Sequence, residues 1–296
     1  MLIGIEKKTL AYTPEAFAYQ QHLLHKGHEI VFLPHSQLLN EKTDLNILFM
    51  GSDPFYSRNN SISKTVHEYH SLSIPPWAHA KNLAKSLLNR RPQGRIFLSE
   101  EVKQDLLFPN DAPYIYRDMG VDQAFFREPA GSKSYHVVYA GSIGGRKDLL
   151  QQLLTLAVHN RVLLIGSVPD EYQATLQQAS NITLTGRVGR EQLPQLYQQA
   201  LYGLNFTPNL YPFNIQTSTK TLEYVSSGLG VLSNRYQWAE KFFARYGITP
   251  RWIEEHAPGE LPPPDNFDRH CLAHLEWEYL LERSGFHTFI EQVAQT

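Results

Sequence analysis

His136-Val137-Val138-Tyr139-Ala140-Gly141-Ser142-Ile143-Gly144-Gly145-Arg146-Lys147 is the stretch on which the fold turns. Residues 136–140 have the length and apolar character of a buried strand. The glycines from 141 to 145 break that pattern, and residues 148–157 read as a helix. A strand that passes through a glycine turn into a helix is one half of a βαβ unit. The same alternation runs outward in both directions. Downstream, residues 161–165, 182–185, 202–206 and 231–233 read as strands, and 170–179, 191–200 and 219–226 as helices. Upstream, residues 2–5, 30–33, 45–50, 66–70, 95–98 and 114–116 read as strands, and 14–25, 77–88 and 100–106 as helices. Pro14 sits where a first helical turn tolerates it, and Gly27 closes that helix.

Strands alternating with helices predict an α/β fold with mostly parallel sheets. A polar break at residues 128–134 divides the alternation in two. The predicted organisation is an N-terminal domain over 1–131, a second domain over 135–273, and a terminal helical segment over 274–296 that follows a proline-rich loop at 258–264. Each half is expected to be doubly wound and Rossmann-like. In such sheets ligands bind beyond the carboxyl ends of the strands, which singles out the loops after Ala140, Thr185 and Phe206.

Composition narrows the function classes. With 27 basic and 29 acidic residues the chain lacks the basic excess of a nucleic-acid binder. The neutral balance leaves room for a local basic patch at a phosphate or a membrane surface, and so for peripheral membrane association. A single cysteine, Cys271, forms no intramolecular disulfide and fits a reducing, cytoplasmic setting. No apolar run reaches the length of a membrane span, and residues 1–8 are charged too early for a signal peptide. The 13 histidines show no metal-binding motif, although His67 and His70 lie three apart.

Four segments can carry chemistry. Ser218-Thr219-Lys220-Thr221-Leu222-Glu223-Tyr224 opens a helix. Ser218 or Thr219 can cap it, its free amides form a phosphate site, and Lys220 adds a full charge. Glu223 lies on the same face one turn on, where a carboxylate can accept from ribose hydroxyls. The loop with Gly141, Ser142, Gly144, Arg146 and Lys147 allows close backbone approach and neutralises phosphate, yet it is neither the dinucleotide fingerprint nor a Walker A loop. Gly186, Arg187 and Val188 end a strand where a nucleobase could be held. In the N-terminal half, His70 is a base candidate near neutral pH, and Asp53 is a rival carboxylate at another strand end.

Taken in order, several segments resemble the GT-B glycosyltransferases, especially the retaining, mostly bacterial group 1 (family 4-like) enzymes. Residues 23–30 resemble that family's early helix-to-strand turn, and 69–72 its N-domain histidine motif. Residues 119–122 resemble the segment before its interdomain linker, and 138–142 its first donor-domain strand and loop. Residues 184–188 with Leu193 and Tyr197, and then 218–233, resemble its later landmarks, and 274–283 its terminal helix. The resemblance implies two Rossmann-like domains facing a cleft and a UDP- or GDP-linked sugar donor. It implies no metal or other cofactor, and a glycan, lipid-linked or small-molecule acceptor as in bacterial surface polysaccharide synthesis. It gives Glu223 to the ribose, Lys220, Arg146 and the Gly141 loop to the diphosphate, and His70 to the sugar. Three departures are visible. Ile215 stands where the family's first glutamate falls, Glu6-Lys7-Lys8-Thr9 replaces its glycine-rich first loop, and the N-terminal domain is short. The absent glutamate and the short domain motivate one alternative, a non-catalytic nucleotide-sugar-binding or partner protein on the same scaffold; a sugar-nucleotide epimerase is the other.

Overall fold

The computed structural model describes residues 1–8, 12–49, 63–128, 132–255, 259 and 261–296. The first run of elements is β1 (Leu2–Glu6), α1 (Pro14–His25), β2 (Glu29–Leu33), α2 (His35–Leu38), β3 (Leu45–Phe49), β4 (Lys64–Tyr69), α3 (Ala78–Leu88), β5 (Gly94–Phe97), α4 (Glu100–Leu106) and β6 (Tyr114–Tyr116). The second run is β7 (Tyr135–Ala140), α5 (Lys147–Ala157), β8 (Val162–Ile165), α6 (Asp170–Gln178), β9 (Ile182–Gly186), α7 (Leu193–Tyr197), β10 (Ala200–Asn205), α8 (Thr219–Ser226), β11 (Gly230–Ser233), α9 (Gln237–Tyr246) and β12 (Arg251–Trp252). Helices α10 (Trp277–Arg283) and α11 (Phe286–Gln295) close the chain.

These elements form two compact units. One comprises Met1–Asp122 together with His274–Thr296, the other Gln123–Ala273. The first holds a six-stranded sheet in the order β2-β1-β3-β4-β5-β6, the second a six-stranded sheet in the order β12-β11-β10-β7-β8-β9. All strand pairs within both sheets are parallel. The predicted α/β, doubly wound architecture is therefore observed in each unit. Strand order reverses between β1 and β3 in the first unit and between β7 and β10 in the second. Those reversals are the topological switch points, where a crevice opens at the strand ends.

Parallel strands covered on both faces must be apolar along their length. β3 is buried at every position, and β8 is Val162-Leu163-Leu164-Ile165 without a polar residue. α5 buries Leu149, Leu153, Leu156 and Ala157, one stripe at helical spacing. That stripe packs with Val137, Tyr139, Val162 and Leu204 of the sheet. Each such leucine contributes roughly 1.5–3 kcal/mol on burial.

The structure corrects several readings. The helix expected over 191–200 is a 3₁₀ turn at Arg190–Gln192 followed by α7, and Ala200 already belongs to β10. α2, α9 and β12 were not read from the sequence. Trp77 precedes α3 in the left-handed region, at φ 66°, and is not its first turn. Met50, Asp53 and the rest of the 50–62 segment lie outside the described residues.

Candidate functional site

Three neighbouring strands of the second unit end in glycine: Gly141 follows β7, Gly166 follows β8, and Gly186 ends β9. All three have positive φ, at +139°, +138° and +70°. At the first two the reason is close approach. A Cβ on Gly166 would stand 2.5 Å from the Gly141 carbonyl oxygen, and a Cβ on Gly141 would stand 2.8 Å from Lys220 Cε. Lys220 therefore lies against the bare backbone of Gly141. Its Nζ is 5.5 Å from the centroid of the Tyr139 ring, a cation–π distance. Arg146 converges on the same tyrosine. Its Nη1 donates to Tyr139 Oη at 2.9 Å, and its Nη2 donates to the Phe206 carbonyl. Two cations and a bare glycine backbone thus meet at the β7/β10 switch point.

The placement of α8 has a local cause. Gly203 in β10 has no side chain, and a Cβ there would stand 2.1 Å from the Tyr224 ring. The ring of Tyr224 consequently lies directly on the strand. Its hydroxyl accepts from the Ala140 backbone N–H at 3.2 Å, which fixes α8 to the end of β7. Ser218 caps the helix, accepting from the Thr221 N–H at 3.3 Å and donating to Asn205 Oδ1 at 3.0 Å. Asn205 is held in turn by Ser233 and Tyr236, each at 3.0 Å. Thr219 and Lys220 occupy the first turn, where helix amides have no partner within the helix and the positive dipole end lies.

Glu223 is 4% exposed. The hydroxyl of Tyr197 donates to its Oε2 at 3.0 Å, one of about four acceptor positions on a carboxylate. The remaining expected residues are distributed around this centre. Ser142 Oγ accepts from the Gly144 N–H at 3.3 Å and shapes the turn. Ser142, Gly144 and Lys147 are exposed at the mouth of α5. Arg187 is exposed and Val188 half-buried beyond β9, the edge strand two places from β7. The sequence did not single out Tyr139, Tyr197, Gly203, Asn205 or Tyr224 as builders of this site. Each acts through a contact between elements distant in the chain. The arrangement offers helix amides, two cations and a buried carboxylate at one strand edge, a chemistry suited to a phosphate-bearing ligand with a polyhydroxylated neighbour.

In the first unit His70 follows β4. Its Nδ1 lies 3.9 Å from Glu15 Oε1. Burial lowers the His70 pKa; Glu68 opposes that shift and Arg117 adds to it, so the neutral ring is favoured. Glu68 and Arg117 form a buried ion pair beside it. Arg117 Nε donates to Tyr19 Oη at 2.7 Å, and its guanidinium stands 5.2 Å from the Trp277 ring centroid. Sequence reading gave no role to Glu15 and Tyr19 of α1, Glu68 of β4 or Arg117 just after β6, since nothing local to them marks a site. Asp53 falls outside the described residues. Among the described residues three groups could hold a metal ion: Glu15, Glu68 and His70; His22, Glu278 and Glu282; His28, His287 and Glu291. None is in the second unit. Arg117 on Glu68 and Lys26 on Glu282 already place cations against two of them. In the third, His28 Nε2 and His287 Nε2 are 3.0 Å apart, a hydrogen-bond distance. Burial, with Asp268, pushes the Cys271 thiol up to about 11, away from the thiolate that a nucleophile needs.

Residues 146–249 match the family described as Glycosyl transferase-like, a span that opens at Arg146 and includes Lys220 and Glu223. No curated protein matches the chain. Solved structures resemble it over its full length. AviGT4, a glycosyltransferase involved in avilamycin A biosynthesis, is 16% identical with a TM-score of 0.62, covering 100% of this chain and 98% of its own. WaaG, a glycosyltransferase involved in lipopolysaccharide biosynthesis, is 12% identical with a TM-score of 0.57, covering 100% and 94%. Alr3699/HepE of Anabaena, solved in complex with UDP-glucose, is 14% identical with a TM-score of 0.53, covering 99% and 98%. Among the described residues no helix is long and apolar enough to cross a membrane. Fold and partial match point the same way: the chain has the α/β fold of these solved GT-B structures, and its residues 146–249 match the Glycosyl transferase-like family.

Proposed function

We propose that the protein transfers a sugar from a nucleoside diphosphate sugar, UDP- or GDP-linked, to a glycan, lipid-linked or small-molecule acceptor, without a metal. The observation that carries this reading is Lys220 lying on Gly141 at the switch point, beside Arg146 and the amide end of α8. Glycosyl transfer breaks the bond between the anomeric carbon and the diphosphate oxygen, and negative charge grows on that oxygen. Pre-placed cations and helix amides stabilise such charge at little reorganisation cost. Glu223 serves the ribose, and Tyr197 orients its carboxylate.

The reaction retains configuration in this reading. The acceptor hydroxyl attacks the anomeric carbon and passes its proton to the departing phosphate oxygen, so no side-chain base is required. His70 is then a sugar contact; were configuration inverted, it would be the base. The UDP-glucose complex of the Anabaena relative supports a nucleotide sugar as donor.

The test is a panel of UDP-, GDP-, ADP- and CMP-sugars read by thermal unfolding, since a ligand of the native state raises its apparent stability. One nucleotide series should stabilise the protein, and NMR of the product should show the donor's anomeric configuration kept. Stabilisation by none of them overturns the reading. Ile215, in place of the family's first glutamate, favours a second reading as a non-catalytic nucleotide-sugar binder. That reading predicts stabilisation without donor consumption, whereas an epimerase would consume donor with no acceptor present.

A further inference from the structure

Helix α11 brings a histidine and a carboxylate against a second histidine in the turn after α1. Gly27 takes φ +85°, which lets the chain reverse out of α1. The His28 N–H donates back to the Leu23 carbonyl at 3.1 Å, and the next residue already begins β2. His28 is thus held at the junction of helix and strand. On the other side, Gly285 at φ +67° opens α11. The buried Phe286 stacks on Tyr19 of α1, with ring centroids 4.3 Å apart. That anchor sets the next residue, His287, against His28. Glu291 follows four positions on, along the same side of the helix.

The three side chains converge on one point. His28 Nε2 and His287 Nε2 are 3.0 Å apart, and His287 Nε2 is 3.5 Å from Glu291 Oε1. One ligand atom from each of the three lies within 4.8 Å of the others. Atoms bound to a tetrahedral zinc at about 2.0–2.1 Å stand about 3.3 Å from one another, close to both spacings. Hydrogen bonding alone does not satisfy the group. A neutral imidazole nitrogen is a donor or an acceptor, never both. If His28 donates, the Glu291 carboxylate faces a bare lone pair on His287. If His287 donates to His28, its one Nε2 proton is spent and the carboxylate again lacks a donor there. The other two histidine–glutamate groups are already served by cations, Arg117 on Glu68 and Lys26 on Glu282. Among the described residues no lysine or arginine lies on Glu291, whose ion-pair partner is His287. A cation between the three would serve all of their lone pairs.

We propose that His28, His287 and Glu291 bind a divalent transition-metal ion, zinc before others, that fastens α11 to the α1–β2 turn. Two imidazoles and a carboxylate suit zinc better than magnesium or calcium, and three protein ligands leave one position for water. All three residues are half-buried, so the ion enters from solvent without opening the fold. The site belongs to the first unit and the cations at Gly141 to the second, so the inference stands apart from the glycosyltransferase reading.

The experiment uses the full chain, stripped with EDTA and desalted. Zinc chloride is titrated into it by calorimetry in a non-coordinating buffer, and thermal unfolding is followed with and without zinc. One zinc per chain should bind and should raise the unfolding midpoint. His28→Gln and His287→Gln should each abolish that site. Glu291→Gln should weaken it about 10- to 100-fold, the worth of one charge-assisted contact. His25→Gln, at an exposed position of α1 outside the group, should change neither readout. Unfolding of each variant in EDTA shows that it folds, and the part-exposed Glu291 keeps the test open if a histidine variant does not. A folded wild type that neither binds zinc nor gains stability from it overturns the proposal. So does binding that both histidine variants retain, or binding that His25→Gln loses to the same extent. A wild type indifferent to zinc, with acid unfolding altered alike by His28→Gln and His287→Gln, also overturns it, because the pair would then share a proton only.

Discussion

The two units repeat one architecture, yet their switch points carry opposite charge. In the second unit the β7 loop is glycine and cation: Gly141 leaves the backbone bare, Lys220 lies on it, and Arg146 stands alongside. In the first unit the equivalent place, at the end of β1, is taken by Glu6. Its Oε2 accepts the Phe49 N–H at 2.7 Å from the neighbouring strand β3. Lys8 and His35 also lie on Glu6. Burial raises the Glu6 pKa, but the hydrogen bonds and charge of His35 and Lys8 outweigh it and hold it below its ordinary value. A protein carboxylate thus stands in the first unit where the second unit sets Lys220 and Arg146 beside bare backbone. Where glutamate ends the first strand its cations are internal partners; where glycine follows the strand they lie against open main chain.

The largest expected effect tests how far the first unit depends on its internal pairing. Arg117→Met leaves Glu68 buried without its cation and should cost about 3–5 kcal/mol in urea unfolding. A loss below about 1 kcal/mol would mean that Tyr19 and His70 compensate for the missing charge.

Next comes the second unit's charge. Lys220→Ala should weaken binding of the best nucleotide roughly 10- to 100-fold in a calorimetric titration, as expected for a lost charge-assisted contact. Unchanged affinity would mean that Lys220 belongs to the fold and not to the ligand.

Gly141→Ala tests the bare backbone. The strained φ should lower stability by roughly 1–2 kcal/mol. Nucleotide affinity should fall as well, because the new methyl displaces Lys220; a stability loss with affinity intact would separate the two roles.

The smallest effect is the control. Glu6→Gln should leave nucleotide affinity unchanged. It should also remove an acid-labile contribution of about 1 kcal/mol. The folded carboxyl titrates below its unfolded value, so its stabilisation is full above about pH 4.3 and is lost as pH falls through the folded value. Wild type and variant should therefore differ in urea midpoint at pH 7 and converge in acid.

Much of this was legible in the sequence where local signals were strong. The helices at 14–25, 100–106 and 219–226 begin and end as read, because Pro14, Ser99 and Ser218 mark their starts. The reading failed at 191–200, where no glycine or proline separates α7 from β10 and the boundary is set by β10 pairing with β7. α9 escaped notice although it buries Ala239, Phe242 and Phe243. In the candidate site, Ser218, Lys220 and the Gly141 loop were visible because caps, charges and glycines have local reasons to occur. Tyr224 was quoted but given no role, since its task depends on Gly203, 21 positions earlier in the chain.

The sequence by itself determined the α/β alternation, the capped helix at Ser218 and the glycine turn at Gly141, because these follow from propensities within a few residues. Only the tertiary structure decided that Lys220 rests on Gly141, that Tyr197 holds Glu223, and that Glu6 closes the other switch point. Those contacts join residues that parallel strand order brings together across crossovers, and no local pattern records which strand will lie next to which.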